Sequence, residues 1–133
     1  MHKTYGVERL LTELDFTRLN KLRGGQLPPE LADSLSSADL LPSRDIPPDV
    51  VTMYSQVVVE DIDSATRQKL TLCYPADAEP HLGFISVLSP VGASLLGQRV
   101  GAIARWRTPN GDGCAAEIVT LLFQPEASGD YTT

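Results

Sequence analysis

Histidine and cysteine, the side chains that most often bind zinc, are few in this 133-residue sequence. There are two histidines, His2 and His81, and two cysteines, Cys73 and Cys114, and none are spaced like the ligands of a zinc motif. No serine or cysteine lies in a recognisable nucleophile motif. The sequence therefore predicts no metal, no cofactor and no catalytic residue.

The stretch FISVLSPVGASLLGQRVGA, residues 84–102, raises the question of a phosphate-binding loop because it contains three glycines. A dinucleotide-binding fingerprint needs glycines at its first, third and sixth positions after a strand, and a P-loop needs Gly-Lys-Ser/Thr. The stretch has neither pattern. It predicts instead a strand over 84–88 and a short helix that Ser89 caps, that Pro90 begins and that Gly97 ends. Gly92, in the first turn, is then a position of close packing.

Segments rich in β-branched and apolar residues predict a sheet in the second part of the chain. The predicted strands cover 51–61, 66–74, 84–88, 101–108 and 114–124, and the helix follows the third of them. Asn110-Gly111 predicts a tight hairpin between the last two.

The first part of the chain predicts two short helices. Apolar residues recur at near-helical spacing behind Asp15, a candidate N-cap, and Gly24-Gly25 ends the run. Pro28-Pro29 can begin a second helix. Prolines between 42 and 48 mark a boundary. We predict an α+β chain with a short helical hairpin, packed as an antiparallel coiled coil, in 1–46 and an antiparallel sheet domain with one short helix in 47–133.

The charge balance limits the classes of partner. Eleven Lys and Arg oppose 17 Asp and Glu, which gives a net charge of −6 and argues against direct nucleic-acid binding. No apolar run is long enough to span a membrane, so we expect a cytoplasmic monomer with reduced cysteines. Arg67, Lys69, Arg105 and Arg107 alternate on two predicted strands, either as a basic stripe or, more simply, as a solvated face.

Several blocks of residues carry a resemblance to a known family. Ile85-Ser86-Val87, Ser89-Pro90 and Leu95-Leu96-Gly97, followed by a strand and a Pro-Asn-Gly hairpin, resemble the C-terminal domain of the Gre transcript-cleavage factors. Blocks 47–55, 89–101 and 124–131 further resemble the small Gre-related regulators of nucleoside diphosphate kinase, the Rnk group, which have a shortened N-terminal hairpin. The resemblance implies an FKBP-like fold for residues 47–133.

The resemblance also implies a partner. Gre factors dock their C-terminal domain on the rim of the RNA polymerase secondary channel, where the Ser-Pro loop contacts a coiled coil of the β′ subunit. Ser89, Pro90 and Val91 occupy the corresponding positions here. From the residues alone, Ser89-Pro90 is simply the start of a helix.

The hairpin tip decides which mechanism the resemblance implies. In Gre factors a long coiled coil carries acidic residues that help to hold a second Mg²⁺ at the polymerase active centre. The tip here would be Arg23, Gly24, Gly25 and Gln26, which include no carboxylate. Helices of roughly 9–13 residues would span only about 13–20 Å. We therefore expect a non-enzymatic regulator that competes with Gre factors without stimulating cleavage.

Two alternatives remain at this point. The resemblance to the Rnk group implies control of nucleoside diphosphate kinase, by direct contact or through its expression. The FKBP-like fold implies a prolyl isomerase or chaperone, an activity that needs an aromatic-lined pocket. The sequence offers few rings, and Trp106 is more simply a core residue than the floor of such a pocket.

Overall fold

The protein is described by a computed structural model that covers residues 9–22 and 27–130. Within these residues it is a mixed α+β chain, as predicted. In chain order the elements are β1 (Leu10–Thr12), α1 (Glu13–Asn20), α2 (Pro29–Ser37), β2 (Asp39–Leu41), β3 (Gln56–Asp61), β4 (Arg67–Cys73), β5 (Phe84–Ser86), α3 (Pro90–Leu95), β6 (Ile103–Arg107) and β7 (Gly113–Phe123).

A five-stranded sheet forms the centre of the described chain, in the order β5-β4-β3-β7-β6. All neighbours are antiparallel except β4 and β5, which are parallel. The predicted antiparallel sheet is therefore wrong at this edge, because the connection from β4 to β5, with two 3-10 helices, returns the chain towards the end of the sheet where β4 begins. Val57 and Leu70, cross-strand partners, are both buried on the inner face, and Ala116 and Ile118 of β7 are buried as well. Register shifts along β3 and β7 mark bulges, which bend a sheet. All five predicted strands are present in the predicted chain order, and their ends differ from the prediction by up to five residues.

The first strand of this sheet is shorter than predicted, because it begins at Gln56 and not at Val51. A turn over Thr52–Ser55 replaces its start: the Ser55 N–H donates to the Thr52 carbonyl at 3.0 Å, and the Thr52 N–H donates to Ser55 Oγ at 2.9 Å. Tyr54 has a φ of +66° in this turn. Hydroxyl groups that bond the nearby backbone compete with strand pairing, which explains the difference.

The N-terminal segment contains a feature that the sequence analysis missed. β1 and β2 pair in parallel, so both helices lie in the connection between them. The N-cap of α1 is Thr12, whose Oγ1 accepts from the Asp15 N–H at 3.0 Å, and the predicted N-cap, Asp15, is wrong. α1 packs beside β1 and β2, and α2 packs against α3.

The N-terminal helices share their core with the sheet. Leu19, Leu31 and Leu35 are buried in the same apolar cluster as Leu72 and Leu95. The antiparallel coiled coil is not confirmed by this packing, and the division of the chain at residue 46 stays a prediction.

Gly92 is a position of close packing, as the sequence predicts. It lies in the first turn of α3, against the chain that leaves β5. A Cβ placed there would lie 2.0 Å from the Ser86 carbonyl oxygen and 3.0 Å from the Val87 Cα. Both neighbours are backbone atoms, so neither can move aside as a flexible side chain would.

We therefore expect Gly92→Ala to lower the free energy of unfolding by about 3 kcal/mol, the upper end of the usual cost of overpacking. Urea denaturation measures the loss. Gly113→Ala is the matched control, because a Cβ at Gly113 meets no atom within 4 Å, and we expect a change within about 0.5 kcal/mol. Equal stabilities of the two variants would contradict the packing argument.

Candidate partner-binding site

The loop that begins α3 is held by its own hydrogen bonds. Ser89 is the N-cap: its Oγ accepts from the Gly92 N–H at 3.1 Å and donates to the Ser86 carbonyl at 2.7 Å. The Ser86 Oγ in turn accepts from the Leu88 N–H at 3.0 Å. The Ser89 hydroxyl proton is thus donated within the loop. Ser89 therefore stabilises the conformation of the loop and does not have this proton available for a partner.

Pro90 and Val91 supply the accessible part of the predicted contact. Pro90 is the first residue of α3 and is exposed, and Val91 is half-buried. Val91 also lines a groove of about 290 Å³ between α3 and the inner face of the sheet, where Leu70, Leu95 and Trp106 are other apolar lining residues. Trp106 is half-buried in this groove, so its assignment to the core alone needs correction.

The far end of α3 is held by the N-terminal segment. Nη1 of Arg9 donates to the Ala93 and Leu96 carbonyls, at 2.7 and 2.9 Å. The Leu10 N–H donates to the Gly97 carbonyl at 3.1 Å. A cation at a helix C-terminus satisfies carbonyls that lack partners inside the helix and opposes the negative end of its dipole. Sequence analysis missed Arg9 because the residues around it give no sign of a contact with Ala93, which lies 84 positions later in the chain.

The predicted hairpin tip and the predicted basic stripe are not part of the surface formed by Pro90 and Val91. The predicted hairpin tip, Arg23 to Gln26, lies outside the described residues. The four cations on β4 and β6 do not form one stripe, because β3 and β7 lie between them and carry Glu60 and Glu117. Nε of Arg67 forms an ion pair with Oε1 of Glu60 at 2.8 Å, which agrees with the interpretation of these cations as part of a solvated sheet face.

Residues 9–22 and 27–130 contain no cluster of three metal-ligating side chains. Cys73 is buried, Cys114 is half-buried, and both are free thiols. None of the helices in that part of the chain is long and apolar enough to cross a bilayer.

Comparison with known proteins identifies the family of this chain. The sequence model described as "Transcription elongation factor, GreA/GreB, C-term" matches residues 46–122, which include β3 to β6, α3 and nearly all of β7. The chain belongs to the GreA/GreB family. It is 35% identical over 128 residues to the Escherichia coli K12 protein named "Regulator of nucleoside diphosphate kinase", with 92% of this chain and 94% of that protein covered.

Longer relatives and a solved structure agree with this placement. The chain is 44% identical over 75 residues to the elongation factor GreA of Solidesulfovibrio magneticus, which covers 56% of this chain but only 45% of that protein. A solved GreA/GreB factor from Nitrosomonas europaea superposes with a TM-score of 0.72 at 34% identity, covering 87% of this chain and 98% of the other. These relatives are named as a regulator and as elongation factors. This family member is accordingly a Gre-related, transcription-associated regulator.

Two buried carboxylates join the N-terminal helices of this GreA/GreB family member to its sheet. Asp15 is 1% exposed, and its Oδ2 accepts from the Met53 N–H at 3.2 Å. Glu126, 8% exposed, accepts from the Thr52 hydroxyl at 2.7 Å through Oε1. Both carboxylates therefore bind the same turn, which also replaces the start of the predicted first strand. One feature of the sequence indicates the burial of Asp15: it lies four residues before Leu19, and residues at this spacing share one face of a helix, here the buried face of α1.

The environment of Asp15 disfavours its charged form. Burial raises its pKa to about 7, and the charge of Glu126 adds to the increase. The hydrogen bond from Met53 and the charge of Arg18 oppose it. Oδ1 of Asp15 has no hydrogen-bond partner in the described part of the chain. Burial also raises the pKa of Glu126.

A carboxyl group with a raised pKa in the folded state contributes most stability below its unfolded pKa and loses it as the pH rises through its folded pKa. For Asp15 the loss falls between about pH 4 and pH 7. We therefore expect Asp15→Asn, which keeps a carbonyl acceptor for Met53 but cannot ionise, to be more stable than the parent chain at pH 8. The expected gain is roughly 1–4 kcal/mol, at about 1.4 kcal/mol per pKa unit.

Urea unfolding between pH 4.5 and 8 measures this gain, which should shrink towards the acid end. A shallower slope should remain, since Glu126 acts in the same direction. Asp33→Asn, on the exposed side of α2, controls for the loss of one negative charge. If Asp15→Asn and the parent lose stability in parallel as the pH rises, Asp15 is not the titrating group.

Proposed function

We propose that this GreA/GreB family member binds RNA polymerase near its secondary channel through the start of α3, and so competes with Gre factors without stimulating transcript cleavage. The observation that carries the proposal is the hydrogen-bonded Ser89-Pro90-Val91 loop, which exposes Pro90, in a domain of this family. An N-terminus of a helix beside a fixed proline ring offers a preorganised contact for a partner helix. By the resemblance, that helix belongs to the β′ coiled coil. A cytoplasmic location follows from this partner.

The short lengths of α1 and α2, the two helices before β2, support the proposal that the chain does not stimulate cleavage. α1 has 8 residues and α2 has 9, so each spans roughly 12–14 Å. The residues between them, 23–26, contain no carboxylate that could help to hold Mg²⁺. We propose that α1 and α2 are a shortened form of the Gre hairpin in residues 1–46, and that the sheet with α3 is an FKBP-like domain in 47–133.

Control of nucleoside diphosphate kinase is the second candidate function. It is supported by the name of the Escherichia coli relative, which is similar to this chain over nearly its whole length. Passing the purified chain over a sizing column with core RNA polymerase, and separately with nucleoside diphosphate kinase, distinguishes the two partners. We expect co-elution with the polymerase. Co-elution with the kinase alone would favour the second function.

Pro90→Asp tests the docking surface. We expect at least tenfold weaker binding to core polymerase, because a charge replaces an apolar ring at the proposed contact. The fold should survive, since an acidic residue in the first turn is compatible with the helix dipole. Pro42→Asp, at the exposed start of the Ser43–Asp45 3-10 helix, is the matched control. Undiminished binding by a folded Pro90→Asp chain would place the interface elsewhere.

Backtracked elongation complexes test the mechanism. Adding the chain should not increase RNA cleavage, but it should reduce cleavage by a Gre factor supplied at limiting concentration. Replacing Gly24-Gly25 by Asp-Glu should not confer cleavage, because short helices leave the carboxylates beyond the roughly 2.1 Å coordination distance of Mg²⁺. Mg²⁺-dependent cleavage with the chain alone would overturn the proposal, and undiminished Gre activity would argue against a shared site.

A further inference from the structure

The groove of about 290 Å³ beside Val91 has two chemically different walls. One wall is apolar and includes Val91 of α3 and Trp106 of β6. The other wall is polar and comes from β3, β4 and the turn that joins them: Asp61, Ser64, Thr66 and Gln68. The three polar residues after Asp61 are exposed, so the groove is accessible from solvent.

Alternation along the strands places Asp61 and Trp106 on the inner face of the sheet. Asp61 follows Val57 and Val59 at alternate positions of β3, and both valines are buried. Trp106 comes two positions after Ala104 on β6, and Ala104 is buried as well. The carboxylate and the indole ring therefore face the same groove from two different strands.

Asp61 gives the groove a negative charge. It is the single charged residue among those of the described chain that line the groove. Its Oδ1 accepts from the Ser64 and Asp63 N–H groups, both at 2.9 Å. These hydrogen bonds hold the pKa of Asp61 below its usual range, so the carboxylate is ionised at neutral pH.

The cations of the neighbouring strands lie on the other face of the sheet. Arg105 and Arg107 flank Trp106 on β6, and alternation directs their side chains away from the groove. Arg67 and Lys69 alternate in the same way with the residues of β4 that line it. The negative charge of the groove is therefore not neutralised by these four side chains.

The two walls together suit a side chain that is apolar along its stem and cationic at its end. β7 lies between β3 and β6, so the strands that carry Asp61 and Trp106 are about 10 Å apart across the sheet. Arginine packs its stem and its planar guanidinium group on aromatic surface, and it binds a carboxylate through two parallel hydrogen bonds. Gln68, on the polar wall, offers a further oxygen acceptor.

We propose that this groove binds an arginine side chain of the protein partner that docks on Pro90 and Val91. The inference rests on the proposed function for the identity of that partner. Val91 belongs to the proposed docking surface and also lines the groove, so a helix in contact with this surface lies beside the groove. The net charge of −6 favours the approach of a basic segment. One arginine held in the groove would fix the register in which the partner helix docks.

Fluorescence of Trp106 measures this binding directly, because Trp106 is the single tryptophan of the chain and lines the groove. Titration with the end-blocked peptide Ala-Ala-Arg-Ala-Ala should change the fluorescence saturably. The same peptide with citrulline, which has nearly the shape of arginine but no charge, should bind roughly tenfold more weakly or worse. If a norleucine peptide binds as tightly as the arginine peptide, the groove takes an apolar side chain and the proposal is overturned.

Asp61→Asn removes the charge but keeps an oxygen that can accept from the Asp63 and Ser64 N–H groups, so the turn should persist. We expect it to bind the arginine peptide roughly tenfold more weakly than the parent. Asp63→Asn is the matched control: it removes the same charge at an exposed position that does not line the groove, and it should bind nearly as well as the parent. Equal weakening by the two variants would overturn the proposal in favour of general electrostatic attraction.

Co-elution with core polymerase separates this inference from the proposed function. If the parent chain binds the arginine peptide through Asp61 but does not bind polymerase, the proposed function fails and the groove stands as a site for a basic segment of another partner. If Asp61→Asn binds polymerase as well as the parent does and the arginine peptide does not bind, the groove proposal fails and the docking surface stands.

Discussion

The close approach of α3 to the Ser86 carbonyl is the constraint on which the candidate site depends. That one oxygen accepts from the Ser89 hydroxyl and the Ser89 N–H, and it lies where a Cβ at position 92 would be. A six-residue helix makes too few internal hydrogen bonds to be stable by itself. Its direction is therefore set by its attachments, and the exposed face of Pro90 is fixed because the loop beneath it cannot relax.

The second attachment of α3 comes from the other end of the chain. Arg9 and Leu10 bond the carbonyls at the end of the helix, and α2 packs against its side. Any movement of the N-terminal segment would be transmitted to the helix that presents the proposed docking surface. The proposed docking surface and the N-terminal helices are thus held in a defined relation by these contacts.

The connection between the N-terminal helices and the sheet carries an electrostatic cost. Asp15 and Glu126 are both buried at the turn over Thr52–Ser55, where two negative charges raise each other's energy. Backbone and hydroxyl donors from Met53 and Thr52 offset part of that cost. Such an arrangement specifies how the helices dock, because an apolar contact would tolerate small rotations that a hydrogen-bonded carboxylate does not.

The sequence by itself determined the local elements and the family. The β-branched and apolar residues of β3 and β4, the Asn-Gly hairpin, and the Ser-Pro start of α3 with Gly92 in its first turn all act over a few residues, where propensity and capping decide. The tertiary structure decided the rest. The parallel pairing of β1 with β2, the clamp from Arg9 to α3 and the burial of Asp15 join residues between 29 and 87 positions apart. Local pattern carries no information on such contacts, because their free energy comes from partners that only the folded chain brings together.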